Sequence, residues 1–276
     1  GFLGLKYKLA NKLIYSKLSA ALGLGRARIM VSGAAPISKE ILEFFATLNL
    51  SIREVYGQSE DCGPTTFNVP GRTKYGTVGP AIPGVEVRIA DDGEICVRGP
   101  NVFKGYYKDK AATDDALIDG WLHSGDLGSF DDEGFLTITG RKKDIIITAG
   151  GKNIAPKNIE AALKNSALIA EAVVIGDRRK FLSAIICLDP DAMERYASEH
   201  NIDAATAHEN DAVKAEIQKT VDEVNTLFAR VEHVRKFHLL HRLLTIEDGE
   251  LTPTLKVKRN VVNEHFADQI EAMYAE

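Results

Sequence analysis

Cysteine is scarce in this sequence, which has only Cys62, Cys96 and Cys187 among its 276 residues. The three lie far apart and show none of the paired spacings that zinc sites use. We therefore expect free thiols and a protein from a reducing compartment. Long apolar runs are lacking as well, since none approaches the ~20 residues that a transmembrane helix needs.

Positive charge is not in excess either, because 34 lysines and arginines face 39 aspartates and glutamates. The formal net charge of −5 argues against a general binder of nucleic acid or of membrane surfaces. The sequence opens on Gly1 and lacks the basic start, apolar run and cleavage site of a signal peptide. We expect a fragment of a longer cytoplasmic protein.

Residues 2–22 carry apolar side chains at helical spacing, with lysines between them. The apolar positions are Leu5, Leu9, Leu13, Ile14 and Leu18. This pattern predicts an amphipathic helix, which we expect to lie on the surface and to pack its apolar side against a core. A basic amphipathic helix can also lie on a membrane, so peripheral contact with the inner membrane face is the alternative.

The middle of the chain, residues 121–160, predicts the border between two domains. Residues 130–139 have a β-hairpin pattern, and a charged break at residues 140–144 separates them from a β-branched strand and a helix that opens at Pro156. A cluster of charges between two compact patterns favours a hinge. The predicted parts are residues 1–140, a hinge at residues 141–144, and a small α+β domain at residues 145–276.

A turn of small residues, SGAAP at residues 32–36, follows a short predicted strand and precedes a helix. In open α/β sheets, a strand, a turn and a helix in this order form a common ligand site. Small side chains there would let a flat ring approach the backbone. Many turns between a strand and a helix look the same, so a purely structural role stays open.

A second motif, YGQSE at residues 56–60, stands at the end of a strand predicted for residues 52–55. Tyr56 offers a ring for stacking, Ser59 offers a hydroxyl for a phosphate oxygen, and Glu60 offers a carboxylate. Magnesium bound beside substrate phosphates prefers such oxygen ligands. The alternative is a polar loop with a glutamate that caps a helix.

Two further segments carry groups that suit a nucleotide. Asp126 lies in a predicted tight turn, SGDL at residues 124–127, where its carboxylate could accept hydrogen bonds from both ribose hydroxyls. The alternative is an aspartate that only forms the turn. Arg141 follows in the charged break and offers a fixed fork of donors for ribose or phosphate.

Together these motifs resemble those of the acyl-adenylate-forming enzymes, which include acyl-CoA synthetases, luciferase-like enzymes and the adenylation domains of peptide synthetases. The resemblance is strongest in SGDL at residues 124–127, GRKKD at 140–144, YGQSE at 56–60 and TLKVKR at 254–259. It covers nearly the whole chain, but only the C-terminal half of the family's plan. It implies an α/β and α+β fold: the end of a large α/β domain with a small β-barrel, followed by a small mobile α+β domain.

The resemblance also implies roles for individual residues. Those expected to bind ATP are Gly33, Ala34, Ala35, Pro36, Tyr56, Gly57, Gln58, Ser59, Asp126 and Arg141. Glu60 would bind Mg²⁺, Lys143 would be the hinge residue, and Gly150 and Gly151 would line the path of the pantetheine arm of coenzyme A. For these two glycines an ordinary turn remains the alternative. No catalytic base is implied at His123, which we interpret as structural.

The family's catalytic lysine lies in a loop of TGKxxR type, and TLKVKR at residues 254–259 matches its spacing. Lys256 is therefore the implied catalytic residue, with Lys258 as its competitor and a basic surface loop as the structural alternative. Leu255 stands where the family commonly has glycine. That departure resembles the long-chain fatty acyl-CoA synthetase branch.

The implied activity is that of a long-chain fatty acid–CoA ligase that uses ATP, Mg²⁺ and coenzyme A and releases AMP. The family's phosphate loop, of TSGTTGxPK type, is absent from these residues, as is a Walker A pattern. We therefore expect this chain to be inactive alone. Two alternatives are an adenylation domain that loads a carrier protein and a degenerate adenylate-binding module.

Overall fold

The structure of the protein is a computed structural model that describes residues 2–275, with side chains from residue 4 onward. Gly1 and Glu276 lie outside the described residues. The chain forms two compact units, one that ends at Lys142 and one that begins at Lys143. Each unit has its own sheets and its own buried core.

The first unit begins with helices and continues with two small sheets. Its elements are α1 (Phe2–Ala10), α2 (Ser16–Ala21), β1 (Met30–Ser32), α3 (Lys39–Thr47), β2 (Ile52–Gln58), β3 (Gly63–Phe67), β4 (Glu86–Ile89), β5 (Glu94–Arg98), α4 (Lys110–Ala116), β6 (Leu117–Ile118), β7 (Trp121–Phe130) and β8 (Leu136–Arg141). A π-helical stretch, Asn11–Tyr15, joins α1 to α2. The helix predicted for residues 2–22 is thereby confirmed.

The apolar side of this N-terminal helix is exposed, so the expectation that it packs against a core is wrong. Leu5, Leu9, Leu13 and Ile14 are between 53% and 68% exposed, because no other segment of the described residues covers them. The alternative of membrane contact stays a prediction. Among the described residues, no helix is both long enough and apolar enough to cross a bilayer.

The first sheet places two of the predicted motifs side by side. β1 and β2 run parallel with α3 as the crossover between them, and β3 pairs antiparallel with β2. Ser38 caps α3 by accepting a hydrogen bond from the amide of Ile41 at 3.3 Å, and Leu42 is fully buried. Because β1 and β2 are parallel, the turn at residues 33–36 and the motif at residues 56–60 lie at the same edge of the sheet.

The second sheet is centred on β7, a ten-residue strand that pairs with β5, β6 and β8. β4 completes the sheet by pairing with β5, and all neighbours are antiparallel. Its core consists of Ile95, Val97, Leu122 and Leu136. The hairpin predicted for residues 130–139, now β7–β8, is confirmed, and β4 and β5 form a second hairpin.

The second unit is an α+β structure around a three-stranded sheet. Its elements are β9 (Ile146–Ile147), β10 (Asn153–Ile154), α5 (Pro156–Leu163), β11 (Ile169–Ile175), β12 (Leu182–Leu188), α6 (Pro190–His200), α7 (Asp211–Asn225), β13 (Val234–Leu240), α8 (Arg259–His265) and α9 (Ala267–Tyr274). β12 lies in the centre, antiparallel to β11 and parallel to β13. Its first six residues are buried, since helices cover both faces of the sheet.

The apolar spacing of residues 260–273 predicts a single C-terminal helix, but the segment forms two helices, α8 and α9, that break at Phe266. Phe266 has φ −110° and ψ 27°, outside the helical region, and its ring is buried beside Val262 and Ile270. Burial of this ring outweighs helical continuity. The apolar spacing alone resembles that of one unbroken helix, which explains the wrong prediction.

An ion pair between Glu160 and Arg259 ties three elements of the second unit together. Glu160, on α5, also accepts a hydrogen bond from the backbone amide of Val174 at 2.8 Å. Arg259, the first residue of α8, donates a second hydrogen bond to the carbonyl oxygen of Val174 at 2.9 Å. The start of α8 is therefore held against α5 and β11.

Replacing Arg259 by methionine is expected to lower the free energy of unfolding by about 3 kcal/mol, because the buried Glu160 carboxylate loses its ion-pair partner and keeps only the Val174 amide as a donor. Urea unfolding followed by circular dichroism measures this change. Arg178→Met is the matched control, since that side chain is 92% exposed, and it should change stability by less than about 0.5 kcal/mol. Equal effects of the two variants would contradict a structural role for the ion pair.

Candidate functional site

The turn after β1 brings small residues close to the neighbouring strand. A Cβ atom on Gly33 would lie 2.7 Å from Cγ1 of Val55, so glycine is required for this approach. Ala34 has a φ of 68°, in the left-handed region. The chain from Gly33 to Pro36 is exposed, which leaves its backbone accessible to a ligand.

The motif at residues 56–60 is not a loop that follows a strand, as expected from the sequence. β2 continues through Gln58, and a 3-10 turn, Ser59–Asp61, follows. Gly57 cannot carry a side chain, because a Cβ atom would overlap the carbonyl oxygen of Gly63 on β3. The strand therefore extends because glycine lets β3 pair closely at this point.

Asp61 stabilises this turn and was missed by the sequence analysis. Its buried carboxylate accepts hydrogen bonds from the amide of Gln58 at 2.8 Å and from the hydroxyl of Thr65. Burial raises the pKa of Asp61, although these donors oppose the shift. An acidic residue right after Glu60 was the available signal, but sequence alone does not show which of the two carboxylates is buried.

Glu60 is partly exposed and is held by a residue to which the sequence analysis assigned no chemistry. The hydroxyl of Tyr106 donates to Oε1 of Glu60 at 2.7 Å, and the amide of Phe103 donates to the carbonyl oxygen of Glu60 at 2.8 Å. The hydrogen bond to Glu60 raises the pKa of Tyr106 to about 12. Glu60 is therefore oriented while one side of its carboxylate remains accessible.

Tyr56, Asp126 and Arg141 come together in the first unit. The hydroxyl of Tyr56 donates to Oδ2 of Asp126 at 2.9 Å, and Nε of Arg141 lies 3.5 Å from Oδ1. Asp126 and Arg141 face each other because they are register partners in β7 and β8. Burial, followed by the charge of Asp126, raises the pKa of Tyr56, so its hydroxyl remains a donor.

Asp126 lies inside β7, so the predicted tight turn is wrong. Residues 124–126 instead form a bulge, since β7 has extra residues there relative to its partner β5. Gly125 has a φ of 73°, which favours glycine at this point. Strand pairing resumes after the bulge, and this long-range pairing is the reason that local turn signals gave the wrong structure.

His123 lies beside a buried carboxylate, which agrees with the structural interpretation. Its Nδ1 atom is 2.8 Å from Oε2 of Glu94, a residue that is only 5% exposed. Glu94 also accepts a hydrogen bond from the amide of Gly125, next to Asp126, at 2.8 Å. No role was predicted for Glu94, because its contact with His123 joins residues that are 29 positions apart in the sequence.

The predicted residues of the second unit occupy exposed positions. Lys143 is its first residue and is exposed. Gly150 and Gly151 lie in the connection between β9 and β10, where the amide of Gly151 donates to the carbonyl oxygen of Thr148 at 2.8 Å. Gly151 has a φ of 73°, whereas a Cβ atom on Gly150 would make only an ordinary van der Waals contact, 3.9 Å from Oγ1 of Thr148. A turn explains Gly151 locally, and contact with coenzyme A stays a prediction.

Lys256 lies in a tight, exposed turn before α8. Its amide donates to Oγ1 of Thr252 at 3.0 Å, and the amide of Thr252 donates back to the carbonyl oxygen of Lys256 at 2.8 Å. Leu255 has a φ of 59°, the left-handed conformation that glycine adopts without cost. The position that is commonly glycine in the resembled family therefore has a backbone that suits glycine. Lys258, also exposed, is the residue that precedes α8.

A fully buried carboxylate, Glu250, supports the base of this loop. It accepts two hydrogen bonds from the Arg242 guanidinium at 2.7 Å, and Nδ1 of His265 lies 3.0 Å from it. The carbonyl oxygen of Glu250 accepts from the amide of Lys258 at 2.7 Å. The hydrogen bonds from Arg242, opposed by burial and helped by His265, lower the pKa of Glu250 to about 2.

Comparison with protein families gives two matches along the chain. The model of the AMP-binding enzyme family matches residues 6–107, and the model of the AMP-binding enzyme C-terminal domain matches residues 143–276. The long-chain-fatty-acid–CoA ligase FadD15 of Mycobacterium tuberculosis is 46% identical over 98% of this chain and 45% of its own length. The long-chain-fatty-acid–CoA ligase ACSBG2 of Xenopus laevis is 39% identical over 98% of this chain and 40% of its own length. The chain thus spans less than half of these relatives.

Solved structures are similar to the chain as well. The adenylation domain of a carboxylate reductase from Mycobacterium chelonae is 25% identical, with a TM-score of 0.74 over 98% of this chain and 42% of that one. The o-succinylbenzoate CoA synthetase of Bacillus subtilis, solved with an acyl-adenylate intermediate, is 28% identical, with a TM-score of 0.67 over 84% of this chain and 45% of that one. The predicted fold class, a mixed α/β and α+β structure, is confirmed.

Glu250→Gln is expected to lower the free energy of unfolding by about 3 kcal/mol at pH 7, as follows from a pKa that falls from its ordinary value of 4.5 to about 2 on folding. Because the folded pKa is the lower one, this stabilisation is present above the ordinary pKa and is lost as the pH falls toward 2. The difference between the parent and the variant should therefore shrink by more than half at pH 3.

Guanidinium unfolding at the two pH values measures the difference. Glu247→Gln, on an exposed side chain of the same loop, is the control and should have little effect at either pH. A difference for Glu250→Gln that stays constant between pH 7 and pH 3 would contradict the assigned ionisation.

Proposed function

Because the chain belongs to the AMP-binding enzyme family, we propose that it is the C-terminal part of a long-chain fatty acid–CoA ligase that releases AMP. The observation that carries this proposal is the 46% identity, over 98% of the chain, to a ligase of that name. A carrier-loading adenylation domain and a degenerate adenylate-binding module are not favoured. The charged residues that the resemblance assigns to this part of the ligase are present, namely Glu60, Asp126, Arg141 and Lys256.

We assign the predicted domain roles to the two parts of the chain. Residues 1–140 would complete the large domain that binds ATP and the acyl group, residues 141–144 would be the hinge, and residues 145–276 would be the small mobile domain. The boundary between the compact units, at Lys142 and Lys143, supports a hinge there. Lys143 would absorb the backbone change as the small domain moves.

The nucleotide would bind in the first unit. The Asp126 carboxylate would accept hydrogen bonds from the ribose hydroxyls, and Arg141 beside it would donate to ribose or phosphate oxygens. The ring of Tyr56 would stack on the adenine. The backbones of two segments at one edge of the first sheet would complete the site, and the predicted residues there are Gly33, Ala34, Ala35, Pro36, Gly57, Gln58 and Ser59.

Glu60 would hold Mg²⁺ beside the phosphates of ATP. The Glu60 carboxylate suits Mg²⁺, because it is partly exposed, is oriented by Tyr106 and offers a hard oxygen ligand. When bound, the ion would supply positive charge that neutralises phosphate oxygens during the displacement. The protein's own part is to fix the direction of the Glu60 carboxylate.

The proposed reaction has two steps. An oxygen of the fatty carboxylate attacks the α-phosphorus of ATP, pyrophosphate leaves, and an acyl-adenylate remains. The Lys256 ammonium, on its exposed turn, neutralises carboxylate and α-phosphate oxygens in this transition state. The thiolate of coenzyme A then attacks the acyl carbon, and AMP leaves. Gly150 and Gly151 would line the path of the pantetheine arm.

The phosphate loop expected for this family is absent from the 276 residues, so we propose that this chain alone does not form thioesters.

Peripheral membrane contact through residues 2–22 and a cytoplasmic location stay predictions. Exposed leucines and the intervening lysines of the N-terminal helix support the first of these. Liposome co-sedimentation tests it.

Lys256→Ala in the full-length protein is expected to slow AMP release by at least about 100-fold, since it removes a charge that acts mainly in the transition state of the first step. The assay supplies ATP, Mg²⁺, coenzyme A and carboxylates from acetate to long-chain fatty acids. AMP release by the parent protein should depend on a long-chain acid.

Lys258→Ala is the matched control, because it removes a lysine two residues away, and it should change the rate less than about threefold. A larger loss for Lys258→Ala than for Lys256→Ala would contradict the assignment of Lys256. If none of the carboxylates in the panel leads to AMP release, although the protein still binds ATP, the proposed ligase activity is contradicted.

A further inference from the structure

We propose that Glu94 is a positioning residue of the nucleotide site, where its buried carboxylate holds the β7 bulge that carries Asp126. This inference rests on the proposed function, since it takes Asp126 as a ligand of the nucleotide. Glu94 lies on β5, the strand that pairs with the Asp126-bearing strand β7, and both of its carboxylate oxygens have protein partners. It would act on the nucleotide only through the bulge.

The contacts of Glu94 use both of its oxygens. Oε1 accepts a hydrogen bond from the backbone amide of Gly125 at 2.8 Å. Oε2 lies 2.8 Å from Nδ1 of His123 and accepts a hydrogen bond from Nζ of Lys142 at 3.1 Å. Burial alone would raise the pKa of Glu94, but these three donors hold it below its ordinary value. The carboxylate is therefore ionised and fully engaged.

The hydrogen bond from the amide of Gly125 to Glu94 fixes the orientation of Asp126. The amide of Gly125 directly precedes Asp126, and the amide of Asp126 itself donates to Oγ of Ser124 at 3.1 Å. With a φ of 73°, Gly125 has little steric preference of its own, so the bulge needs an external partner to adopt one conformation. Glu94 is that partner.

The contact with Lys142 extends the same support to the end of β8. Lys142 bridges Glu94 and Asp92, with its Nζ atom 2.7 Å from Oδ2 of Asp92. It directly follows Arg141, the register partner of Asp126. One buried carboxylate thus holds the strand segments that carry both charged members of the candidate nucleotide site.

A metal site is the competing interpretation of this cluster. Glu94, Cys96 and His123 place an oxygen, a sulfur and a nitrogen within 4.8 Å of one another. However, both oxygens of Glu94 already accept from nitrogen donors, and one of these is the ammonium of Lys142. Burial and then the charge of Glu94 raise the pKa of Cys96, which keeps the thiol protonated. The geometry therefore favours positioning over metal binding.

The test is a double-mutant cycle on AMP binding, measured by calorimetry with the full-length protein and without fatty acid or coenzyme A. Glu94→Gln keeps the size of the side chain but loses the charge that three donors require. We expect it to raise the Kd for AMP about tenfold, the size of one charge-assisted hydrogen bond. In an Asp126→Asn background, the same change should leave the Kd unaltered within about twofold, because the group on which Glu94 acts is already lost.

Two further variants complete the design. Glu86→Gln, on the adjacent strand, removes an exposed carboxylate paired with Arg98 and should leave the Kd unchanged. Lys142→Met, whose side chain is 41% exposed, disturbs the core less than Glu94→Gln does. We expect it to raise the Kd about threefold, and it carries the test if Glu94→Gln does not fold.

The outcomes separate this inference from the proposed ligase activity. Equal effects of Glu94→Gln in both backgrounds, or no effect in either, would overturn the positioning role, even if the parent protein releases AMP. Failure to release AMP, together with the expected coupling in AMP binding, would overturn the ligase and leave the positioning role standing. No AMP binding by the parent protein would overturn the positioning role.

Discussion

A carboxylate that is removed from water must be surrounded by donors, and this constraint shapes both units of the protein. Glu94 is satisfied by Gly125, His123 and Lys142, and Glu250 by Arg242 and His265. Glu160 is satisfied by Arg259 and Val174. Glu94 and Glu250 contact segments that carry candidate functional residues, Asp126 and Lys256. The exposed charged side chains of these segments are therefore held in place by buried contacts.

The division between buried and exposed charge fits the chemistry that we propose. A residue that binds ribose, the role we propose for Asp126, must keep one orientation, and the bulge that carries Asp126 is hydrogen-bonded to the buried carboxylate of Glu94. A lysine that neutralises a developing charge, the role we propose for Lys256, must reach its target and leave again. Lys256 lies on an exposed turn whose base is held at Glu250. A buried carboxylate and an exposed lysine therefore occur in one short segment of the second unit.

Local patterns were sufficient to predict most of the elements and the candidate residues with exposed charges. The hairpins, the strand β12 and the turns at residues 33–36 and 251–259 all carry short-range signals of spacing or glycine and proline content. The supporting residues could not be predicted in this way, because Glu94 and His123 are 29 residues apart and Glu60 and Tyr106 are 46 apart. The break at Phe266 and the bulge at Asp126 could not be predicted for the same reason, since tertiary packing overrides the local sequence pattern.

The central claim, that a carboxylate oxygen attacks the α-phosphorus of ATP, has a direct isotopic test. A long-chain fatty acid labelled with heavy oxygen in its carboxylate would be given to the full-length protein with ATP, Mg²⁺ and coenzyme A, and the mass of the released AMP would be measured. We expect one heavy oxygen atom in the phosphate of each AMP, because the attacking oxygen stays on phosphorus when the thiolate takes the acyl group. Unlabelled AMP, or ADP as the product, would contradict the proposed mechanism.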